Sequence, residues 1–263
     1  MRGAGAVLAL VLVEWAAGWA AVAAWSQSWQ VVRRGHFRIT AWAVLAVGAM
    51  AVFANRAALE NVAEPGPQPA FVLALAVLTL AFAAAQYVRG DVVGVVTGAL
   101  AGVAGVAALA LSARHIVGWA PVLAALGLVS GALLLGAVTN GMMLGHWYLN
   151  QPGLKTWALG RLTDLCLVGV VTSGLAGVVS YGELTSASTE GAVLGIPGFG
   201  ESFSFIFFFV WLSMLGLTGA VAWGARRCVQ IRSIQSATGL LYVAILSAGV
   251  AEFMVRYLMV NGA

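Results

Sequence analysis

Charged residues are scarce in this chain of 263 residues: Asp, Glu, Lys and Arg make up 8% of it, against roughly 25% in soluble domains. Hydrophobic residues make up 62%, and the mean hydropathy is +0.97. So few charged side chains cannot cover the surface of a soluble domain of this size. Composition therefore excludes a soluble enzyme, a nucleic-acid-binding domain and a disordered protein, and it predicts an all-α, polytopic integral membrane protein.

Cysteine is also rare, and Cys166 and Cys228 are the only two. Two thiols are too few for a disulfide framework or a cysteine-based metal site, so we expect no metal centre. The chain lacks the phosphate-binding loop, the HExxH zinc motif and the GxSxG nucleophile motif. These absences argue against a membrane metalloprotease and against a nucleotide-driven pump acting alone.

Long apolar runs fill most of the sequence. A helix needs about 20 apolar residues to cross a bilayer, and eight segments qualify. They form one transmembrane domain over residues 1–263 and lie at about 4–25, 39–58, 69–88, 91–112, 119–145, 157–180, 202–225 and 236–260. The first run is longer than the h-region of a signal peptide, about 7–15 residues, so we expect it to be retained as a helix.

The basic residues are distributed unequally between the two sides of such a bundle. One side holds nine of them: Arg33, Arg34, Arg38, Arg89, Lys155, Arg161, Arg226, Arg227 and Arg232. The other side holds four: Arg2, Arg56, Arg114 and Arg256. Because Lys and Arg accumulate in cytoplasmic loops, this asymmetry predicts a protein of the inner (plasma) membrane with both termini on the outer, periplasmic side.

Glycines recur every four residues on two of the predicted helices. Such faces let helix backbones approach closely within a membrane, so we interpret them as packing surfaces without chemistry. They comprise Gly94, Gly98 and Gly102 in the fourth span and the pairs Gly127/Gly131 and Gly141/Gly145 in the fifth.

Ionisable residues inside predicted spans are candidates for function, because burying a charge in lipid is unfavourable. Glu14 lies near the middle of the first span with no basic residue of that helix within a turn. It either meets a polar group of another helix or carries a proton, and we consider a proton relay as its role. Glu252 and Arg256 are spaced i,i+4, which indicates either an ion pair near the outer surface or a substrate path. Asp164 with Arg161 indicates an interfacial ion pair.

A layer of polar and aromatic residues marks the predicted cytoplasmic edge. Its histidines, His36 and His146, can ligate a haem b or hydrogen-bond a quinone if their helices are neighbours. Trp147 and Tyr148 supply stacking surfaces, and Asn140 is an amide within the fifth span. The expected cofactor of this layer is a quinone, which we favour over haem b. The alternative is an ordinary aromatic belt.

The longest connection between spans, residues 181–201, carries Glu183, Glu190 and Glu201 but no Lys or Arg. It is either a solvated loop or an acidic surface for a basic periplasmic partner.

Three functions remain open. The first is an integral membrane subunit of a respiratory or photosynthetic electron-transfer complex that binds quinone near the cytoplasmic face, together with other membrane subunits. The chain resembles the quinone-reactive anchor subunits of membrane oxidoreductase complexes, but only in its hydropathy and in its eight predicted helices with short loops. The second is a small-solute or ion transporter that uses Glu14, Glu252 and Arg256. The third is a structural or assembly subunit without a site of its own. Whether the chain is an enzyme stays open.

Overall fold

The structure is a computed structural model that describes residues 3–60, 62–151, 153–185 and 200–261. In these ranges the regular structure is helical, without strands. The α-helices are α1 (Gly3–Ser28), α2 (Arg34–Leu59), α3 (Gln68–Ala85), α4 (Val92–Ser112), α5 (Pro121–Asn150), α6 (Trp157–Val179), α7 (Tyr181–Thr185), α8 (Gly200–Gln230) and α9 (Ile234–Asn261), and a 3₁₀ turn (Ala113–His115) follows α4.

Eight of these helices, all except the short α7, are long and apolar enough to cross a membrane, as the sequence predicts. The composition and the helix lengths together indicate a multi-pass membrane protein. The structure extends several predicted segments. In particular, α2 begins at Arg34 instead of 39 and α5 continues to Asn150 instead of 145. Hydropathy misses these turns because they are helical but polar.

The connections that join α1 through α6 and the turn between α8 and α9 are short, so the helices that they join pack as neighbours. The break predicted at residues 89–91 is a tight turn between α3 and α4. Gly90 adopts φ +90° in this turn, a left-handed conformation that favours glycine.

The long helices form two rings of four. In the first ring, α1 packs on α2, α2 on α3, α3 on α4, and α4 returns to α1. In the second ring, α5, α6, α8 and α9 pack in the same cyclic order, and α9 returns to α5. The rings join mainly where α1 packs on α5 and α9. The two rings share this cyclic order of helix packing, but their amino-acid sequences show no convincing repeat.

Helix α1 occupies the junction between the rings and is buried over most of its length. Its closest neighbour is α5, because a Cβ on Gly18 would lie 1.7 Å from the carbonyl oxygen of Ala132. On another side, the predicted glycine face of α4 packs against it: a Cβ on Gly102 would lie 2.7 Å from the Cβ of Ala21. Small residues therefore bring three helix backbones together around α1.

Candidate functional site

Three charged side chains from the two ends of the chain meet at the junction of the rings. Arg256 of α9 donates from Nε to Oε1 of Glu14 on α1 at 2.5 Å. It also donates from Nη2 to Oε2 of Glu252 at 2.7 Å and to the backbone carbonyl of Gly127 on α5 at 2.8 Å. We call Glu14, Glu252 and Arg256 the charged triad. It joins α1, α5 and α9.

The charged triad is enclosed by protein. The exposed fractions of Glu14, Glu252 and Arg256 are 0%, 1% and 2%. Of the Asp, Glu, Lys and Arg side chains whose burial the structure describes, only these three are buried. The sequence-based pair of Glu252 and Arg256 is present, and it lies inside the bundle. Glu14 meets a polar group of another helix, which is one of the two outcomes expected for it.

A glycine on α5 provides the space for these side chains. A Cβ on Gly131 would lie 2.4 Å from both Nη2 of Arg256 and Oε2 of Glu252. Ser173 of α6 donates a hydrogen bond to the other Glu252 oxygen at 3.4 Å. The sequence analysis assigned Gly131 to helix packing and did not mention Ser173. The four-residue glycine spacing is a signal for Gly131, whereas nothing in the sequence distinguishes Ser173.

The charges of the charged triad do not balance. When ionised, the two carboxylates carry −2 and the guanidinium carries +1, which leaves −1 in a buried site. In addition, the Oε2 atom of Glu14 is buried and has no hydrogen-bond partner among the described residues. A buried charge without a partner is strongly unfavourable. The arrangement therefore requires a proton or another cation near Glu14 or Glu252.

A small chamber adjoins the charged triad. Its volume is about 10 Å³, which is room for about one water molecule. Glu252 and Arg256 line it, together with hydroxyl groups and two indole rings: Ser130, Ser173, Ser180, Trp119 and Trp211. The indole Nε1 of Trp211 is buried without a partner. The chamber thus combines a carboxylate, hydroxyls and aromatic rings.

The second candidate region lies at the end of the bundle where α1 ends and α2 begins, which we call the inner end. His36 is buried there, and its Nε2 atom has no hydrogen-bond partner in the part of the chain that the structure describes. Its ring lies 5.8 Å from the Trp147 ring, centroid to centroid. The hydroxyl of Thr40, one turn further along α2, is also buried without a partner. Thr40 was not a candidate from the sequence.

Three other residues predicted for this region, Asn140, His146 and Tyr148, contact side chains or backbone groups other than His36. Asn140 donates from Nδ2 to the Ser26 hydroxyl on α1 at 3.1 Å, and its Oδ1 is unpaired. His146 is exposed, with Nδ1 lying 3.3 Å from the hydroxyl of Tyr242. The hydroxyl of Tyr148 donates to the backbone carbonyl of Lys155. The structure thus brings His36 and Trp147 together, and the described contacts of Asn140, His146 and Tyr148 go to other partners.

Asp164 has a different partner from the expected one. It accepts a hydrogen bond from Nε of Arg226 at 2.5 Å, so the predicted pair with Arg161 is wrong. The guanidinium of Arg161 lies instead over the ring of Trp157, 4.6 Å from the centroid. The Asp164 carboxylate and the Arg226 guanidinium are both partly exposed, which is typical of a surface ion pair.

The predicted acidic surface lies outside the described residues. Residues 186–199, which include Glu190, are not described, and neither are the side chains of Glu183 and Glu201. Within the described ranges, no group of three or more His, Cys, Asp or Glu side chains is placed to hold a metal ion.

Comparisons with known proteins add no assignment. No protein-family model, no curated protein and no solved structure matches this chain. The functional argument therefore depends on the geometry of the described residues.

Proposed function

We propose that this chain is a proton-coupled transporter of the inner membrane and that its charged triad binds the coupling proton. The observation that carries this proposal is the excess of one buried negative charge at Glu14, Glu252 and Arg256, with one Glu14 oxygen unpaired. Ionisable groups that face a bundle interior are typical of proton and substrate pathways.

A proton would reach the site through the chamber, from the end of the bundle opposite the inner end, which we call the outer end. The chamber beside the charged triad reaches Trp119, in the connection before α5, and Leu184, in α7. Three serine hydroxyls line it, and hydroxyls with a trapped water can pass a proton between them.

Polar groups also continue along α1 and α5 toward the inner end. Trp15 donates from Nε1 to the Thr139 hydroxyl at 2.8 Å, and Asn140 pairs with Ser26. At the inner end, Gln27 donates to Gln86 at 3.0 Å and, more weakly, to Asp91 at 3.5 Å. Asp91 also accepts from the half-buried Arg34 at 3.2 Å. Waters between these groups would complete the second route.

Proton binding at Glu14 provides the coupling to a conformational change. The ionised Glu14 holds Arg256, and this pair links α1 of the first ring to α9 of the second. A proton on Glu14 removes the charge from its side of the pair, and the attraction between the rings weakens. A ligand that changes one contact between two rigid bodies shifts the equilibrium between their arrangements.

Infrared difference spectroscopy on the purified full chain tests proton binding directly. We expect a protonated-carboxyl absorption that appears on acidification in the wild type and is lost in Glu14→Gln. Glu60→Gln, at an exposed carboxyl beyond the end of α2, is the matched control and should keep the absorption. An identical absorption in the wild type and Glu14→Gln would remove Glu14 as the proton site.

Transport is tested in liposomes loaded with a fluorescent pH indicator. Gradients of sodium, potassium, an amino acid mixture and a quaternary ammonium salt are applied in turn. The proposal expects at least one gradient to move protons through the wild type and not through Glu14→Gln. If no gradient moves protons, the triad acts as a structural link and the chain as a structural or assembly subunit.

The second candidate function is a quinone-binding subunit of a respiratory or photosynthetic electron-transfer complex, with haem b as the less favoured cofactor. The observation in its favour is the unpaired, buried Nε2 of His36 beside the Trp147 ring. This atom can donate to a quinone carbonyl while the indole stacks on the ring. A reduced-minus-oxidised spectrum with organic extraction of the purified protein checks it. About one quinone per wild-type chain, and none in His36→Leu, would support this function. Wild-type protein that contains neither quinone nor haem would exclude it.

We also propose that both termini lie on the outer side, with the basic inner end in the cytoplasm and the acidic segment 183–201 facing outward. Labelling of single cysteines introduced at positions 33–38, 226–232 and 183–201 tests this orientation. The first two groups should react only from the cytoplasmic side and the third only from outside. The reverse pattern would reverse the topology.

A further inference from the structure

We propose that the transported substrate is a hydrophobic organic cation and that it reaches the charged triad sideways, from the bilayer, through a groove between α1, α4, α5 and α6. This inference rests on the proposed transport function and names its substrate class. It follows from the volume of the groove, its apolar lining, the wall that it shares with the chamber and the negative charge beside that chamber.

The groove is large and almost entirely apolar. Its volume is about 550 Å³, within the range of about 300–1,000 Å³ for small-molecule sites. The small residues Ala17, Gly18 and Ala21 of α1 leave the space, and the exposed side chains of Leu126 and Leu175 lie at its edge. The polar side chains of its described lining are the uncharged Ser130, Thr172 and Ser180, which bind a metal ion or an amino acid poorly, whereas an apolar body of several rings or an alkyl chain would fill the space.

The groove leads to the charged triad. Ser130, Ala176 and Ser180 line both the groove and the chamber, so the two spaces share a wall. One end of a molecule in the groove would contact the hydroxyls of Ser130 and Ser180. Glu252 and the indole rings of Trp119 and Trp211 line the chamber on the other side of these two serines. In the described conformation the chamber holds only a water molecule, so the charged end of the substrate stops at Ser130 and Ser180.

The charge of the site selects a cation. The charged triad carries an excess negative charge, and the Nε and Nη2 donors of Arg256 are already occupied by Glu14, Glu252 and Gly127. Aromatic rings beside a carboxylate attract organic cations through the ring quadrupole as well as the charge. An anion at this end of the groove would face the two carboxylates with no unoccupied partner at these donors.

Charge balance then connects the substrate to the proton. With a proton on Glu14 or Glu252, the buried site is neutral, and its charge is again balanced when the proton leaves and the charged end of one organic cation lies at Ser130 and Ser180, beside the chamber. No covalent step is involved, and one positive charge replaces another. The chain therefore exchanges a proton for a hydrophobic cation.

Two probes of similar size and opposite charge test the substrate class. Tetraphenylphosphonium and tetraphenylborate are added to the purified full chain, and quenching of tryptophan fluorescence reports binding. We expect the phosphonium ion to bind at least about tenfold more tightly than the borate. Acidification should weaken phosphonium binding, because the proton competes for the same charge. Equal binding of the two ions would overturn the proposal, and so would phosphonium binding that is independent of pH.

Two tryptophan substitutions on α6 test the route. Ala176→Trp fills the wall between groove and chamber, whereas Val178→Trp introduces the same side chain at an exposed position that does not line the groove. We expect Ala176→Trp to weaken phosphonium binding by about tenfold or more and Val178→Trp to change it by less than about twofold. Equal effects of the two variants would place the binding site elsewhere.

The outcome also separates this inference from the proposed function. The infrared absorption of the triad carboxyl is measured in the same samples. A titrating carboxyl without phosphonium binding leaves the proton site in place and overturns the substrate class. If neither is observed, both proposals are wrong. The probe comparison on the wild type requires no variant, so a substitution that impairs folding does not affect it.

Discussion

The two candidate regions of this chain differ in how their buried polar groups are paired. In the charged triad, three ionisable side chains bind one another and a backbone carbonyl, and one carboxylate oxygen is left over. At the inner end, neither His36 nor Thr40 belongs to an ion pair of the described residues, and each has a buried polar atom without a hydrogen-bond partner among them. The first region holds a charge excess, whereas the second has unused hydrogen-bonding capacity. A charge excess attracts a proton or a cation, and unused donors and acceptors attract water or a carbonyl group.

The largest effect is expected from removing the one cation of the charged triad. Arg256→Met leaves two buried carboxyl groups without their partner, and breaking a buried pair in this way costs about 3–5 kcal/mol. Thermal unfolding in detergent measures the loss. Arg226→Met, which removes the half-exposed partner of Asp164, is the control and should cost no more than about 1 kcal/mol. Equal losses of stability in Arg256→Met and Arg226→Met would show that the buried ion pairs of the triad contribute no more to stability than a surface ion pair does.

The next effect concerns the space that holds the triad together. Gly131→Ala places a Cβ 2.4 Å from Arg256 and Glu252 side-chain atoms, and such overpacking costs about 1–3 kcal/mol. Gly216→Ala on α8 meets no atom within 4 Å and should stabilise its helix by up to about 1 kcal/mol. Unfolding temperatures of the two variants should shift in opposite directions. A neutral Gly131→Ala would mean that the triad side chains rearrange freely.

The smallest effect distinguishes an empty inner end from an occupied one. Thr40→Val keeps the shape of the side chain and removes its unpaired hydroxyl, so stability should stay the same or rise by about 1 kcal/mol. A loss of stability would show that the hydroxyl binds a water or a ligand in the membrane, and the quinone hypothesis would gain support. Thr97→Val, at a partly exposed hydroxyl that bonds only its own helix, controls for the general effect of the substitution.

Much of the fold follows from the sequence, because hydropathy alone reports a helix that crosses a membrane. All eight long helices were predicted, and the errors lie at helix ends. The polar end turns at Arg34 and Asn150 were missed, and the third span was predicted to reach residue 88 although α3 ends at Ala85. The glycine face of α4 also packs closely against another helix, as expected. The cyclic order of the two rings was not predictable, because hydropathy carries no information about which helix is the neighbour of which.

The candidate site follows from the sequence only in part. Glu14, Glu252 and Arg256 stand out because charge is rare in apolar segments, and the i,i+4 spacing predicts one of their two ion pairs. The other pair joins residues 242 positions apart, which no local pattern can show. The assignment of Asp164 to Arg161 was wrong for the same reason, since proximity in sequence was taken for proximity in space.

That long separation also affects the order in which the protein is assembled. Helix α1 leaves the ribosome first and α9 last among the described helices, and at about 5–20 residues per second their synthesis is separated by roughly 12–50 seconds. Throughout that time Glu14 lies in a nascent helix with no Arg256 to bind. Helix α1 therefore enters the bilayer before its ion pair with α9 exists, and the bond between Glu14 and Arg256 forms only after α9 has been synthesised.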